Sequence, residues 1–505
     1  MVLDRAVMDL KSFFPAFAAA WIGFGQLVVA DAPPPNIVFF FVDDMGWQDT
    51  SVPFLYNDEG EAVVTALNER YHTPAMEILA ETGMKFTNAY CMPVCTPSRI
   101  CWLTGKNSVR HRATNWVHPR GIDTTQRNVD SHRAPEDWRR GGLPEDYVTL
   151  PSLLQEAGYR TIHAGKAHFG STEYARDPRN FGFDVNIAGS EIGHPGAYSG
   201  DFGQGTNRPV PGLEGYHHSG IHLTDATTLE AMKEMGRAVR EEQPFFAYIS
   251  HYAVHAPFEI DPRFAGNYPD LDGRLLAYAT LIEGMDKSLG DVLSHLKALG
   301  VAENTLVFFL SDNGGDAPEE DVDQSNAPLR NKKGTKYEGG VRVPMLAAWA
   351  TPDPDHPNQR RLPIPAGSRT DDIVAIFDMF PTLANVTGVE APVTEIDGHD
   401  LTPYLIGEPG THRPQELLIH FPHDHRSQYF TILRQGPWKL IHNHAPRGFE
   451  LYHLGRDLSE TENLAESEPE RVREMAMRMV EIIEASGGQW PRLAEDGSED
   501  PIRIP

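Results

Sequence analysis

Two apolar runs frame this chain. Asn36 to Trp47 reads NIVFFFVDDMGW, and Asn304 to Gly315 reads NTLVFFLSDNGG. Each is an unbroken β-branched and aromatic run that ends in Asp plus Asp or Asn, with Gly close behind. A half-exposed strand would alternate, so unbroken runs predict strands buried on both faces of a parallel sheet. Between them the hydrophobic period keeps switching. Thr149 to Ala157 (TLPSLLQEA) reads as a short amphipathic helix stopped by Gly158, and Tyr159 to Ala164 as a strand. Thr224 to Glu242 predicts a longer helix, and Pro244 to Ser250 (PFFAYIS) another buried strand. Leu275 to Leu299 carries apolar residues at helical spacing and stops at Gly300. This alternation argues α/β. Asp353 to Pro365 is Pro-rich and reads as loop. From about His412 the pattern becomes short strands (ELLIHF, YFTILRQ, WKLIHN, FELYHL) and then a helix over Glu470 to Ala485.

Length sharpens the division. A chain of 505 residues exceeds what one compact core usually holds. The pattern assigns 36–408 to a large domain and 409–495 to a smaller α+β one with a short antiparallel sheet. Ser12 to Val29 is apolar and rich in small residues, with small-x-small sites at Val28-Val29-Ala30 and Ala30-Asp31-Ala32. Residues 1–30 therefore read as a secretory signal, which predicts export to periplasm or outside. An uncleaved anchor or a misplaced start would look similar. No later segment has the length of apolar residues that a membrane span needs. The formal charge of -27 excludes a uniformly basic, nucleic-acid-binding surface.

The candidate chemistry follows from position. In open α/β sheets the site lies at the carboxyl ends of strands, where Asp43, Asp44, Asp312 and Asn313 fall. Hard oxygen donors suit Ca²⁺ or Mg²⁺, and not zinc. One such pair alone reads as turn chemistry; two in the same strand context point to a metal. The chain has three cysteines, Cys91, Cys95 and Cys101, all within eleven residues. Their spacing fits no zinc finger. A Cys91–Cys101 disulfide is open to them. Cys95 stands apart, because Pro97, Arg99 and then Leu103-Thr104-Gly105 follow it. From Lys106 to Arg140 there are eight Lys or Arg against four Asp or Glu, which include Arg110 and Arg112. This stretch is either a solvated loop or a rim that attracts an anionic polysaccharide. His423, His425 and Arg426 form a second candidate rim, and Trp116 and Trp138 could stack on sugar rings.

Cys95-Thr-Pro-Ser-Arg followed by Leu-Thr-Gly resembles the signature of formylglycine-dependent sulfatases, a family of the alkaline phosphatase-like superfamily. The resemblance covers nearly the whole chain. GKAHFG (165–170) is similar to the family's G-K-W-H-x-G, with Ala167 in place of Trp. SHYAVHAP places His255 on the family histidine, and KKGTKYEGGVRVP places its lysine at Lys333, with Lys336 three residues on. WKLI and ELYHLGRDLSETENLA resemble the family's C-terminal ending. The resemblance implies a large, mostly parallel mixed sheet between helices. It implies one Ca²⁺ held by Asp43, Asp44, Asp312, Asn313 and residue 95, and oxidation of Cys95 to formylglycine by a maturation enzyme. It implies that Arg99, Lys166 and Lys333 hold sulfate oxygens, that His255 serves the leaving oxygen, and that His168 takes the second hydroxyl's proton. Histidine suits both tasks, since its pKa lies near neutrality. The expected substrate is a sulfated carbohydrate, attacked from the end at a galactose-type residue as in bacterial relatives. Two other readings share much of this sequence. A formylglycine-dependent phosphonate or phosphodiester hydrolase would keep similar metal residues but different leaving-group residues. An inactive carbohydrate-binding relative would have lost Cys95, an acid or a lysine, and none is missing.

Overall fold

The computed structural model describes residues 33–125, 131–144, 147–174, 176–392 and 396–505. The leader over 1–30 lies outside the described residues. Eight strands form the main sheet: β1 (Asn36–Val42), β2 (Met84–Tyr90), β3 (Arg160–Gly165), β4 (Val185–Ile187), β5 (Phe245–Ser250), β6 (Thr305–Ser311), β7 (Arg342–Trp349) and β8 (Ser368–Ala375). Their spatial order is β8-β2-β7-β6-β1-β5-β3-β4. From β6 through β1, β5 and β3 to β4 every neighbour is parallel. β7 runs antiparallel to β6 and β2, and β8 parallel to β2.

The unbroken apolar runs have a direct structural cause. Along β1, Ile37, Phe39 and Phe41 face one core, while Val38, Phe40 and Val42 face the other. Both faces are covered, so no position on the strand is left for a polar residue. The first core is closed by α2 (Cys95–Thr104), α3 (Leu150–Glu156) and α6 (Met379–Thr387). The second is closed by α1 (Pro74–Thr82), α4 (Leu223–Arg240) and α5 (Gly273–Ala298). Each helix predicted between 149 and 299 is present within two residues of its expected ends. The Pro-rich stretch, read as loop, holds one short helix at Pro357–Arg361.

The C-terminal strands form a separate antiparallel meander, β9 (Glu416–Asp424), β10 (Gln428–Gln435), β11 (Trp438–Asn443) and β12 (Gly448–His453). One face, with Ile419, Phe421, Ile432 and Ile441, joins the first core. The other, with Leu418, Leu433, Leu440 and Leu451, packs on α7 (Pro469–Ala485). Residues 34–505 consequently form one compact unit. None of the described helices is long and apolar enough to cross a membrane.

Candidate active site

Strand register assembles the site. β1 and β6 pair with Val42 opposite Ser311, so Asp43-Asp44 and Asp312-Asn313 leave the sheet side by side. All four are buried. Asp44 holds φ at 64°, a left-handed conformation that costs a non-glycine residue about 1–3 kcal/mol. The turn is held by its N–H on Asp312 Oδ1 at 3.2 Å and by the Tyr278 hydroxyl on its carbonyl at 3.0 Å.

Helix α2 brings the cysteine segment to these carboxylates, and each signature residue has a local job. Cys95 is the first helical residue, so the positive end of the helix dipole lies at its side chain. Pro97 sits in the first turn, where no intrahelical N–H is lost. The Ser98 hydroxyl accepts the Met92 N–H at 2.9 Å and fixes the approach of the loop. Arg99, one turn after Cys95, reaches Asp312. Gly105 ends the helix at φ 66° with its N–H on the Cys101 carbonyl, a left-handed cap that favours glycine.

Asp43, Asp44, Cys95 and Asp312 each place a ligand-type atom within 4.8 Å of the others. Three cations face them. Lys166 Nζ is 2.6 Å from Asp43 Oδ2, and Arg99 Nη2 is 2.8 Å from Asp312 Oδ2. Lys333 Nζ is 2.6 Å from Asp44 Oδ1 and 3.4 Å from Cys95 Sγ. Asn313 donates its amide to Asp44 Oδ1 at 2.8 Å. Among the described residues its own Oδ1 is buried without a partner. An orphan acceptor beside three carboxylates fits a hard cation held by oxygen.

The same burial sets the electrostatics. It pushes the Asp44 carboxyl up, but Lys333, His255 and Lys166 overcome it and hold the group well below the usual carboxylate range. Asp312 is raised to about 6 by burial and by Asp43. Burial lifts the Cys95 thiol to about 12 against the pull of Lys166 and Lys333. As a thiol, residue 95 is a poor nucleophile at neutral pH. His255 falls to about 4 through burial and Lys333. Burial and Lys166 push His168 well below its ordinary value.

Above the cluster is a cavity of about 360 Å³, within the range of small-molecule sites. Of the residues singled out in the sequence, Cys95, His168, His255, Lys333, His425 and Arg426 line it. Lys166 and the carboxylates lie beneath. So does Arg99, which donates from Nε and Nη2 to Asp312 and from Nη1 to the Lys166 carbonyl at 3.0 Å and Ser250 Oγ at 2.6 Å. These bonds tie Arg99 to Asp312 and to the Lys166 backbone.

Other expectations need correction. His423 is fully buried between the hydroxyls of Thr114 at 2.7 Å and Thr125 at 2.8 Å, with Trp138 edge-on to it. Arg110 is paired with Asp397 at 2.7 Å, and Arg112 donates to the Gly487 carbonyl at 2.9 Å. None of these three faces the cavity, because each is consumed by holding chain segments together. Cys91 and Cys101 are free, buried thiols, with Cys91 against the Ser311 carbonyl and Cys101 against His111 Nε2. Lys336 pairs with Glu450 and Asn443, away from Cys95.

The cavity also uses residues that sequence reasoning passed over. His194, Arg208, Phe258 and Arg274 line it, joined by His118 from the basic stretch and by Trp116 from the pair of candidate stacking rings. Except for Arg274, which lies in the first turn of α5, they come from loops with no local pattern to mark them. The His194 and His255 rings stack at 5.1 Å. Each donates Nδ1–H to a neighbouring carbonyl at 2.8 Å, which leaves Nε2 for the site.

The sheet, the helices on its two faces and the carboxylates at its strand ends define a hydrolase of alkaline phosphatase-like fold. The sulfatase family model matches residues 35–389, and the model for the C-terminal region of N-sulphoglucosamine sulphohydrolase matches 331–486. The chain belongs to the sulfatase family. It is 32% identical to the N-acetylgalactosamine-6-sulfatase of Canis lupus familiaris over 408 residues, 77% of this chain and 69% of that one. A sulfatase of Formosa agariphila is 29% identical over 508 aligned positions, covering 88% and 87% of the two chains. The crystal structure of Ps i-CgsB in complex with k-i-k-neocarrahexaose matches with a TM-score of 0.70 at 26% identity, covering 89% of this chain and 93% of that one.

Proposed function

We propose that this sulfatase removes sulfate from a sulfated carbohydrate, with residue 95 matured to formylglycine and one Ca²⁺ held by Asp43, Asp44, Asp312 and Asn313. The observation that carries the reading is Cys95 itself. It sits at a helix N-terminus on the floor of a cavity, against Asp43 and Lys333, in a form too buried to ionise as a thiol. Relatives named for carbohydrate substrates support the sugar. The apolar leader supports export, with maturation by a formylglycine-generating enzyme beforehand.

Formylglycine, hydrated, supplies a hydroxyl for in-line attack on sulfur, and the ion lowers that hydroxyl's pKa and neutralises sulfate charge. The chain's own residues do the rest. Lys333 places a cation beside residue 95, where charge builds on the sulfate oxygens. His255 Nε2 is free of hydrogen bonds to its own backbone and lies 3.6 Å from Asp44. An arriving anion opposes the influences that depress its pKa, so the imidazole takes up a proton and delivers it to the leaving oxygen. His168 donates Nε2–H to the Val117 carbonyl at 2.8 Å, which fixes Nδ1 as the basic nitrogen; that atom has no partner among the described residues. It is the proton acceptor for the second hydroxyl. His168 keeps φ at 51°, a strained conformation retained where position matters more than local stability.

The test is the mass of the tryptic peptide containing Cys95, from protein made in its native host. A loss of about 18 Da, with oxygen replacing sulfur and two hydrogens gone, is expected for this nucleophile chemistry. An unmodified thiol refutes it. Release of inorganic sulfate, and not of phosphate, from sugar and phosphate esters then separates the sulfatase from a phosphoryl hydrolase.

A further inference from the structure

The wall of the cavity carries positive charge beyond the cations that face the carboxylates. Beneath, three carboxylates face three cations. On the wall, Asp316 is the one acidic lining residue, and it is satisfied by Arg426 at 2.6 Å and Lys332 at 3.1 Å. Arg208 and Arg274 face the same space with nothing to balance them. Among the described residues neither guanidinium has a hydrogen bond or an ion pair. Arg274 has only the Phe258 ring beneath it, at 4.9 Å. Arg208 is partly buried, and its pKa is lowered by that burial with no carboxylate to offset it. A half-desolvated guanidinium without a counterion is costly. Arg274 is exposed at the cavity rim, so water solvates it and its cost is smaller. It lies in the first turn of α5, where a cation opposes the helix dipole. A third donor adds to these, since Trp116 Nε1 is buried without a partner among the described residues.

We propose that Arg208 and Arg274, with Trp116, form a second anion subsite, so that the preferred substrate carries another oxyanion besides the sulfate being cleaved. The inference rests on the carbohydrate sulfatase reading above and names its substrate class as a sugar bearing at least two anionic groups. The guanidinium fork matches the oxygens of a sulfate ester or of a uronate carboxylate equally well. Both are the same recognition chemistry, and the experiment separates them. In a cavity of about 360 Å³ the second group lies on the cleaved sugar or its immediate neighbour.

Three probes decide it: a singly sulfated galactose, a disulfated galactose, and a singly sulfated galactosamine linked to a uronate. The mature enzyme should favour one of the two-anion probes in kcat/KM by roughly ten- to hundred-fold, the size expected for charge-assisted hydrogen bonds. Which one it favours identifies the second group. In Arg208→Ala and Arg274→Ala that ratio should collapse, and Arg208→Lys should keep part of it. Equal kcat/KM for all three probes overturns the subsite, as do variants that lower every probe by the same factor. Circular dichroism and a melting curve for each variant exclude a folding defect as the cause. Calorimetric titration of unmatured protein, which retains the Cys95 thiol, tells apart the two ways of failing. Binding that favours two anions and is lost in Arg208→Ala upholds the subsite even if mature protein releases no sulfate, an outcome that would sink the activity instead. Failure of all three probes to bind overturns the subsite.

Discussion

Replacing Lys439 by Met should be among the most damaging single changes outside the cavity. Its ammonium lies 3.0 Å from Glu338 Oε1 and 2.7 Å from Glu460 Oε1, with all three side chains at 0% exposure. Glu338 opens the short helix that follows the Lys333 loop, Lys439 belongs to β11, and Glu460 to the stretch after β12. At an effective dielectric of about 20, each contact corresponds to about 5–6 kcal/mol of attraction. Desolvation of three ions takes back several kcal/mol apiece, so the intact triad is worth little net. Removing only the cation is different, because two carboxylates are left buried and facing each other. The expected cost is about 3–5 kcal/mol, read from urea unfolding at mildly alkaline pH. The pH dependence provides an independent check. Burial and Glu338 already raise Glu460 to about 7, and loss of Lys439 raises it further. A carboxyl that binds its proton more tightly in the native chain than in the unfolded one adds stability as pH falls. The deficit of Lys439→Met should therefore shrink between mildly alkaline and mildly acid pH. Lys439→Met/Glu460→Gln should recover at least half of it, since Glu338 keeps Arg342 and Arg434 nearby. A deficit below about 1 kcal/mol, or one unchanged by pH, would refute the reasoning.

Three further outcomes are expected. Arg426 bonds to Asp316 and to the Lys333 carbonyl at 3.2 Å; Arg426→Ala should lower kcat about ten- to hundred-fold through misplacement of Lys333, with Arg426→Lys intermediate, and an unchanged kcat counts against that role. Burial raises Glu450, but Lys336, Tyr452 and Asn443 overcome it and hold the group at about 2; its stabilisation of about 1–3 kcal/mol is present above the unfolded pKa and lost as pH falls towards 2, so Glu450→Gln should flatten the acid-unfolding curve. Chelation should abolish sulfate release and lower the melting temperature, and Ca²⁺ at about 100 times its Kd should return about 2.7 kcal/mol; a melting temperature indifferent to chelator rules out the carboxylate cluster as the metal site.

The fold was legible where burial is two-sided. NIVFFFV and TLVFFLS announce buried strands because neither face of β1 or β6 meets water. The acidic ends of those strands were legible for the same reason, as strand ends are where a parallel sheet leaves room for polar groups. Less was legible in β7 and β8. The antiparallel turn of β7 depends on pairing with both β6 and β2, which no local window contains. The C-terminal motifs were recognised as segments but not as partners. Glu338, Lys439 and Glu460 lie in three stretches of sequence that look separate until the meander folds onto the main core and buries one triad between them.

The substrate rim shows why charge along a sequence does not identify a binding surface. Lys106 to Arg140 is the basic stretch of an acidic chain, yet Arg110 and Arg112 are bound to Asp397 and Gly487, far away in sequence. Arg208 and Arg274 lie in no basic run at all. A guanidinium attracts a ligand only to the extent that the protein leaves it unsatisfied, and that depends on whether a carboxylate or carbonyl from elsewhere reaches it first. Local composition counts charges before those pairings are made. The surplus that faces a substrate is what remains after them, and here it remains on one loop and the first turn of α5, which line the same cavity only in the folded chain.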